Sequence, residues 1–333
     1  MNQRVTAIGE LLIDFIPKTK GIALADVQEF TRAAGGAPAN VAVAVARLGG
    51  DAAMISQVGF DAFGTHILSV LQAAGVDTEA VFRTRKANTG LAFVSLDGSG
   101  NRDFSFYRNP SADLFLSPEQ LSDAMFQKTG ILHFCSVDLV DAPVKEAHRR
   151  AISLAKKAGA IISFDPNVRL PLWDAPEHCA AAVREFLPQA DIVKISDDEI
   201  EFLFGTDDPA EVAETLLRQE ACALLYTKGA AGAELFTRSG HTLVPSCPVE
   251  VVDTTGAGDA FVGAFLWQLA ANSIDKAKLD CMVEEERRAL LTFACRYGAC
   301  TATRPGGAAA MATREEFETF CRAQQRENAG SGN

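Results

Sequence analysis

Residues 252–266 read V-D-T-T-G-A-G-D-A-F-V-G-A-F-L. A polar, glycine-containing turn runs through Asp259 straight into an apolar helix pattern. The backbone N–H groups of Gly256, Ala257 and Gly258 therefore sit at a helix N-terminus, where orphan donors and the helix dipole together attract an anion. Asp259 falls in the first turn beside the same point. An anion cradle and a base at one place are what phosphoryl transfer to a hydroxyl requires. The competing reading is an ordinary capped helix, since Asp in a first turn complements the dipole. That dipole is also expected to lower the pKa of Asp259.

Working outward, the chain alternates strands and helices. A strand is expected at 5–8. Gly35-Gly36-Ala37-Pro38-Ala39-Asn40 opens an Ala/Val-rich helix over 41–48, ended by Gly49-Gly50. A strand at 54–58 and a helix at 64–74 follow. From 131 the rhythm is βα, with strands at 131–134, 161–164, 192–195 and 223–227. Helices fall between them at about 142–157, 178–186, 197–204 and 209–218. Apolar strands alternating with helices imply an α/β fold with a mostly parallel sheet covered on both faces, each crossover right-handed. Segments 91–96 and 102–107, joined by Asp97-Gly98-Ser99-Gly100, read instead as a hairpin. With the irregular stretch before residue 34 they suggest a small β lid, from about 10–34 and 88–112, inserted into a single body over 1–320. Residues 321–333 are polar, and 322–333 are expected to be frayed.

Composition narrows the function. The chain has 333 residues, 48% of them hydrophobic, enough for a large core. It contains no apolar run of the roughly 18 residues a membrane span needs, and Met1-Asn2-Gln3-Arg4 lacks a signal-peptide layout. The net charge of −12 argues against nucleic acid as a partner. An acidic protein that binds an anionic nucleotide must use local donors, which raises the weight of the 256–258 turn. The eight cysteines form no C-x-x-C pair and no zinc spacing, consistent with free thiols in a reducing cytoplasm.

Several familiar sites are excluded. There is no Gly-Lys dipeptide, so no Walker A loop, and Phe261 breaks a dinucleotide-type G-x-G-x-x-G. Three other strand ends carry polar groups. Asp165, Asn167 and Arg169 alternate after the strand at 161–164, on the sheet edge where α/β folds bind ligands; a capped loop with a structural ion pair is the alternative. Lys194 precedes Ser196-x-x-Glu199, which is a capping box by itself and a possible hydrated Mg²⁺ ligand by function. Thr227-Lys228-Gly229-Ala230-Ala231-Gly232 is a weak third Gly turn.

Two of these stretches, Gly35 to Ala42 and Asp253 to Asp259, match the paired signatures of the PfkB (ribokinase-like) carbohydrate kinase family, and the chain resembles that family nearly end to end. Within it, Gly9-Glu10-Leu11-Leu12-Ile13-Asp14-Phe15, the word at 106–113 and the word at 165–173 are most similar to fructokinases. 2-Keto-3-deoxygluconate kinases share part of these words and remain the alternative, with other sugar kinases behind. A non-catalytic sensor on the same fold is the alternative of another class.

The resemblance implies a three-layer α/β/α body and an ATP-dependent phosphorylation of D-fructose to fructose 6-phosphate. It makes Asp259 the base, and Gly256, Ala257 and Gly258 the anion hole. Asp14, Gly35, Gly36 and Asn40 would bind the sugar. Arg108 and Arg169 would lie near the sugar and the incoming phosphate. Lys194, Thr227, Gly229 and Gly232 would line the ATP site together with Gly256 and Gly258. Glu199 would hold Mg²⁺ through water. Asp253, Thr255, Thr301, Arg304 and Gly306 match a monovalent-cation site, K⁺ in the first instance. A homodimer joined through the lids and a cytoplasmic location complete the expectation.

Overall fold

A computed structural model describes residues 3–19, 21–96 and 102–330, with the side chains of 95–96, 102–104 and 327–330 undescribed. The 97–100 turn of the expected hairpin lies outside the described residues. The strands are β1 (Arg4–Ile8), β2 (Leu12–Pro17), β3 (Phe30–Gly35), β4 (Ala52–Gly59), β5 (Val81–Thr84), β6 (Gly90–Leu96), β7 (Arg102–Tyr107), β8 (Thr129–Cys135), β9 (Ile161–Asp165), β10 (Ile192–Ser196), β11 (Ala223–Thr227), β12 (Ala233–Thr237) and β13 (Gly240–Val244).

Nine of them form one sheet in the order β13-β12-β11-β10-β9-β8-β1-β4-β5. All neighbours are parallel except β11–β12 and β12–β13. The parallel strands read as continuous apolar runs because both faces are covered. Alternation then decides which residue goes where. Ile131, Ile161, Ile192 and Leu225 face one core, beneath the helices Ala37–Arg47, Ala257–Ala271 and Glu284–Ala302. Leu132, Ile162, Val193 and Leu224 face the other, beneath Pro143–Lys157, Pro176–Phe186, Asp197–Phe204 and Pro209–Arg218.

A second, four-stranded sheet runs β3-β2-β6-β7. β2 pairs antiparallel with β3 and parallel with β6, and β6 pairs antiparallel with β7. On β2 the even-numbered Leu12, Asp14 and Ile16 turn toward a cavity between the sheets. The odd-numbered Phe15 stacks on Phe93 at 4.7 Å and meets Phe63 of the body edge-on.

The C-terminal stretch departs from expectation. A helix spans Arg314–Gly330, so most of the region expected to be frayed is ordered backbone. Two features favour it. Thr313 and Glu316 form a capping box, with the Thr313 N–H donating to Oε2 of Glu316 at 2.8 Å and the Glu316 N–H to Oγ1 of Thr313 at 3.3 Å. Phe317, Phe320 and Cys321 then lay an apolar stripe on the core. No described helix is long and apolar enough to cross a membrane, and all eight cysteines are free thiols.

Candidate active site

Because β1, β8, β9, β10 and β11 run parallel, their C-terminal ends meet along one edge of the large sheet. The residues that follow them, Glu10, Val137, Asn167 and Arg169, gather around a cavity of about 100 Å³. The second sheet closes it from above with Leu12, Asp14, Ile16, Val94 and Phe106.

The helix Ala257–Ala271 points its N-terminus into this space. Its cap, Gly256, has φ 76°, a left-handed conformation that glycine adopts without strain. Asp259 lies in the first turn, partly exposed, and its Oδ2 accepts a hydrogen bond from Nδ2 of Asn40 at 2.8 Å. Asn40 stands in the first turn of Ala37–Arg47, where its N–H donates to the Gly36 carbonyl at 2.9 Å. Two signatures 219 positions apart thus meet through one hydrogen bond. A Cβ at Gly35 would meet the Asp14 carboxylate and push it out of its place. Asn167, with φ 45°, is held by its N–H to Oδ1 of Asp165 at 3.1 Å.

The electrostatics correct one expectation. The Asp259 carboxyl is raised above its usual value, not lowered. Loss of hydration is the largest influence and outweighs the Asn40 hydrogen bond and the charges of Arg169 and Lys194. For this half-buried carboxyl at the cavity wall, lost hydration outweighs what the helix N-terminus was expected to contribute.

A second cavity, of about 570 Å³, opens on the other side of the same turn. Thr255, Gly256 and Asp259 line the first cavity; Thr254, Ala257 and Gly258 line the second. Thr227, Gly229 and Gly232 line the second as well, with Phe261, Cys295 and Ala299 on its far wall. None of the residues lining it carries a charged side chain.

Two of the expected site residues, Arg108 and Lys194, stand behind the cavity walls and not on them. Arg108 does not line either cavity; its buried guanidinium is bonded to Asp113 and Asp138. Burial alone would favour its neutral form, but Asp113, Asp138 and Glu10 hold it protonated well above the usual range. Lys194 likewise lines neither cavity. Its Nζ lies 3.3 Å from Asp165 and 3.5 Å from Glu199, and these partners raise its pKa against the cost of burial. Burial pushes Asp165 up to about 7 despite Lys194. The capping box of Ser196 and Glu199 is present: Oε2 of Glu199 accepts from the Ser196 N–H at 2.9 Å and hydroxyl at 2.7 Å. Oε1 takes the Val168 N–H at 2.7 Å. Burial would raise this carboxyl, but Lys194 and these hydrogen bonds hold it at about 2.

Of the expected cation residues, Thr255 and Gly306 converge on Asp253. Asp253 Oδ1 accepts from the Thr255 N–H at 2.9 Å and hydroxyl at 2.7 Å, and Oδ2 from the Gly306 N–H at 2.9 Å. The Thr301 hydroxyl donates to the Tyr297 carbonyl at 3.0 Å and Arg304 reaches Glu316 at 3.1 Å. The side chains of Thr301 and Arg304 therefore turn elsewhere, leaving main-chain carbonyls as the oxygens this segment can offer.

Sequence reasoning missed Glu10, Asp113 and Asp138. Glu10 and Asp138 come two and three residues after β1 and β8, at the binding edge of the sheet. That position was the available signal.

Residues 2–314 match the pfkB family of carbohydrate kinases, and the chain belongs to that family. It is 42% identical over 324 residues to a protein of Arabidopsis thaliana named probable fructokinase-2, with 96% of each chain covered. Among solved structures, fructokinase from Xylella fastidiosa with bound ATP superposes with a TM-score of 0.89 at 39% identity, covering 98% of this chain and 100% of that one. Fructokinase from Vibrio cholerae O395, in its fructose, ADP and calcium ion bound form, gives 0.84 at 33% identity over 96% of this chain and 98% of that one. The fold is thus the ribokinase-like α/β/α architecture of these sugar kinases.

Proposed function

We propose that this protein is a fructokinase, transferring the terminal phosphoryl group of ATP to a hydroxyl of D-fructose and releasing ADP and fructose 6-phosphate. The observation that carries the reading is the turn at 254–259, whose two sides open into two cavities of opposite character. A polyhydroxyl substrate suits the side lined by Asp14, Asn40, Asn167 and Arg169. A nucleotide suits the larger, uncharged side. The Gly256, Ala257 and Gly258 amides stand where the transferring phosphoryl must pass. Relatives named as fructokinases, one of them solved with fructose and ADP, support the choice of sugar.

The transition state is loose, so catalysis is mainly positioning and charge stabilisation. Asp259 orients the sugar hydroxyl first and accepts its proton as the phosphoryl arrives. Its raised pKa, caused by lost hydration, makes it a better base than a solvated carboxylate. Asn40 fixes the carboxylate's aim. Arg169 shares the cavity with Asp259 and offers a charge to the incoming phosphate. The second sheet acts as a lid, excluding water that would hydrolyse ATP.

Among the described residues, no cluster of three or more His, Cys, Asp or Glu could hold a metal. Mg²⁺ tolerates this, since it keeps several waters and takes phosphate oxygens. Glu199, whose Oε1 accepts the Val168 N–H and keeps a further lone pair, is the carboxylate that would take a metal-bound water. When bound, the ion offsets phosphate charge. K⁺ would be held by carbonyls of the segments that Asp253 ties together. We also propose a homodimer joined through the four-stranded sheets, on the face where Phe15, Phe93 and the 63% exposed Tyr107 cluster; a monomer in sedimentation at micromolar concentration overturns it.

ADP release across fructose, ribose, tagatose, 2-keto-3-deoxygluconate and adenosine, with and without K⁺, tests the function. Fructose should give the highest kcat/KM. Preference for 2-keto-3-deoxygluconate would move the protein to another branch of the family, and ADP release with none of them would sink the kinase reading.

A further inference from the structure

The polar cavity contains a carboxyl that the reaction above does not use. Glu10 follows β1, is 3% exposed, and lines the cavity beside Asp14, Asn40 and Asp259. Its Oε1 accepts the Ala37 N–H at 2.7 Å. Its Oε2 is buried and has no hydrogen-bond partner. Oδ1 of Asn40, on the same wall, is buried without one too. Buried polar atoms left unpaired are costly, and at a cavity wall the cost is relieved when a ligand arrives.

We infer that Glu10 reads the sugar as a neutral carboxylic acid, donating Oε2–H to a sugar oxygen while Asn40 Oδ1 accepts from a sugar hydroxyl. The inference rests on the reading of this cavity as the sugar site. The placement of the proton follows from geometry. Oε1 already accepts an amide N–H, so a proton on Glu10 belongs to Oε2, the atom with no protein acceptor or donor. Burial favours that state, and of the charges nearby Arg108 opposes it while Asp113 supports it. Behind Glu10 stand Asp113 and Asp138, both bonded to the single guanidinium of Arg108. Glu10 is thus a third carboxyl beside one cation, and Asp138 is itself raised well above the ordinary carboxyl value by burial and by Asp113. The remaining titratable or charged neighbours are the Cys135 thiol at the end of β8 and, across the cavity, Asp14, Asp259 and Arg169. Burial is the largest influence on Glu10, raising it to about 7 against the opposing effects of Arg108 and the Ala37 amide. A sugar that displaces water from the cavity raises it further, so sugar binding takes up a proton from solvent near neutral pH.

The test is calorimetric titration of wild-type protein and two variants with fructose, without ATP, between pH 6 and 8. For wild type, the fructose Kd should rise about tenfold across this range as Glu10 loses its proton. Proton uptake should show as a dependence of the binding enthalpy on the buffer's ionisation enthalpy. Glu10→Gln places an NH₂ where Oε2–H stood and still accepts from Ala37. It should bind fructose within about threefold of wild type at pH 6 and show a flat pH profile. Asp14 and Asp259 remain in that variant, so flattening assigns the slope to Glu10. Glu10→Met, which keeps the length and loses the donor, should raise Kd about tenfold at pH 6. A wild-type Kd that is flat, or that falls with rising pH, overturns the inference, as does a Glu10→Gln variant with an unchanged slope. If Glu10→Met fails to fold, wild type and Glu10→Gln decide alone. Failure to bind fructose at all would instead strike the assignment of the sugar.

Discussion

The two cavities flanking the 254–259 turn recognise by opposite means. The smaller one sets charged and amide side chains among apolar ones, brought in by both sheets and two helix N-termini. The larger has no charged side chain on its walls, although the ligand proposed for it carries several negative charges. Sugar recognition is assigned to side chains, and phosphate recognition to main-chain amides at a helix end. The difference has a physical basis. A sugar offers hydroxyls that must be distinguished in space, and unpaired buried partners penalise the wrong one. A phosphate needs only converging donors, and an acidic chain supplies them without collecting lysines.

The largest expected effect comes from breaking the point where the two cavities meet. Asp259→Asn keeps size and the Asn40 contact region but removes the proton acceptor. kcat should fall about 10³-fold, with fructose Kd and ATP Kd changed by less than about threefold. Near-normal turnover in that variant would remove Asp259 from the mechanism and leave it a capping residue. Next is Arg169→Ala, on the sugar side only. It should lower kcat/KM about 10²-fold while the melting temperature moves by no more than a few degrees, because Arg169 is half-buried at a cavity wall and not in either core. A large drop in melting temperature with unchanged kinetics would make Arg169 structural. On the nucleotide side, Ala299→Met projects a longer side chain into the uncharged cavity. The ATP KM should rise about tenfold and fructose Kd should stay constant. If both change together, the two cavities are not separate sites.

The same contrast explains what the sequence revealed. Strands β1, β4 and β8 to β11 were legible because apolar runs bounded by glycine and polar caps carry a period. The helix signatures at Gly36 and Gly256 were legible because glycines in those turns sit beside charged chemistry. Asp14, Asn40, Arg169 and Asp259 do line one cavity. The antiparallel hairpin β12–β13, where His241 and Lys228 both contact the Glu234 carboxylate, escaped because polar residues interrupt the apolar run of both strands and β13 is a part-covered edge. Arg108 is expected near the sugar only because the family resemblance implies it. Only the fold reveals that Asp113, five residues on, and Asp138, from the segment after β8, both bond its buried guanidinium. The nucleotide wall at 295–302 carried almost no signal, since Gly, Ala and Cys serve a core as readily as a binding cleft.

The smallest expected effect concerns stability and sharpens the contrast from the sugar side. Glu10 has an ordinary carboxyl value of 4.5 when unfolded and is raised to about 7 by burial in the fold. A group raised on folding contributes stability that is complete below its unfolded value and lost as pH rises through the folded one. Between about pH 4.5 and 7 the unliganded protein should therefore lose stability through Glu10, and Glu10→Gln, which cannot ionise, should lose less. The expected difference between the two melting curves is about 5 °C, opening across that window and constant above it. Asp165, also raised to about 7 and present in both proteins, cancels in the comparison. Glu199, held near 2, acts in the opposite direction and only at strongly acid pH. Parallel melting curves for wild type and variant from pH 4.5 to 8 would mean that Glu10 is ionised throughout. A buried negative charge would then stand beside Asp113, with Arg108 as the cation between them, and with Asp138, raised well above the ordinary carboxyl value by burial, as the neighbour that keeps its proton.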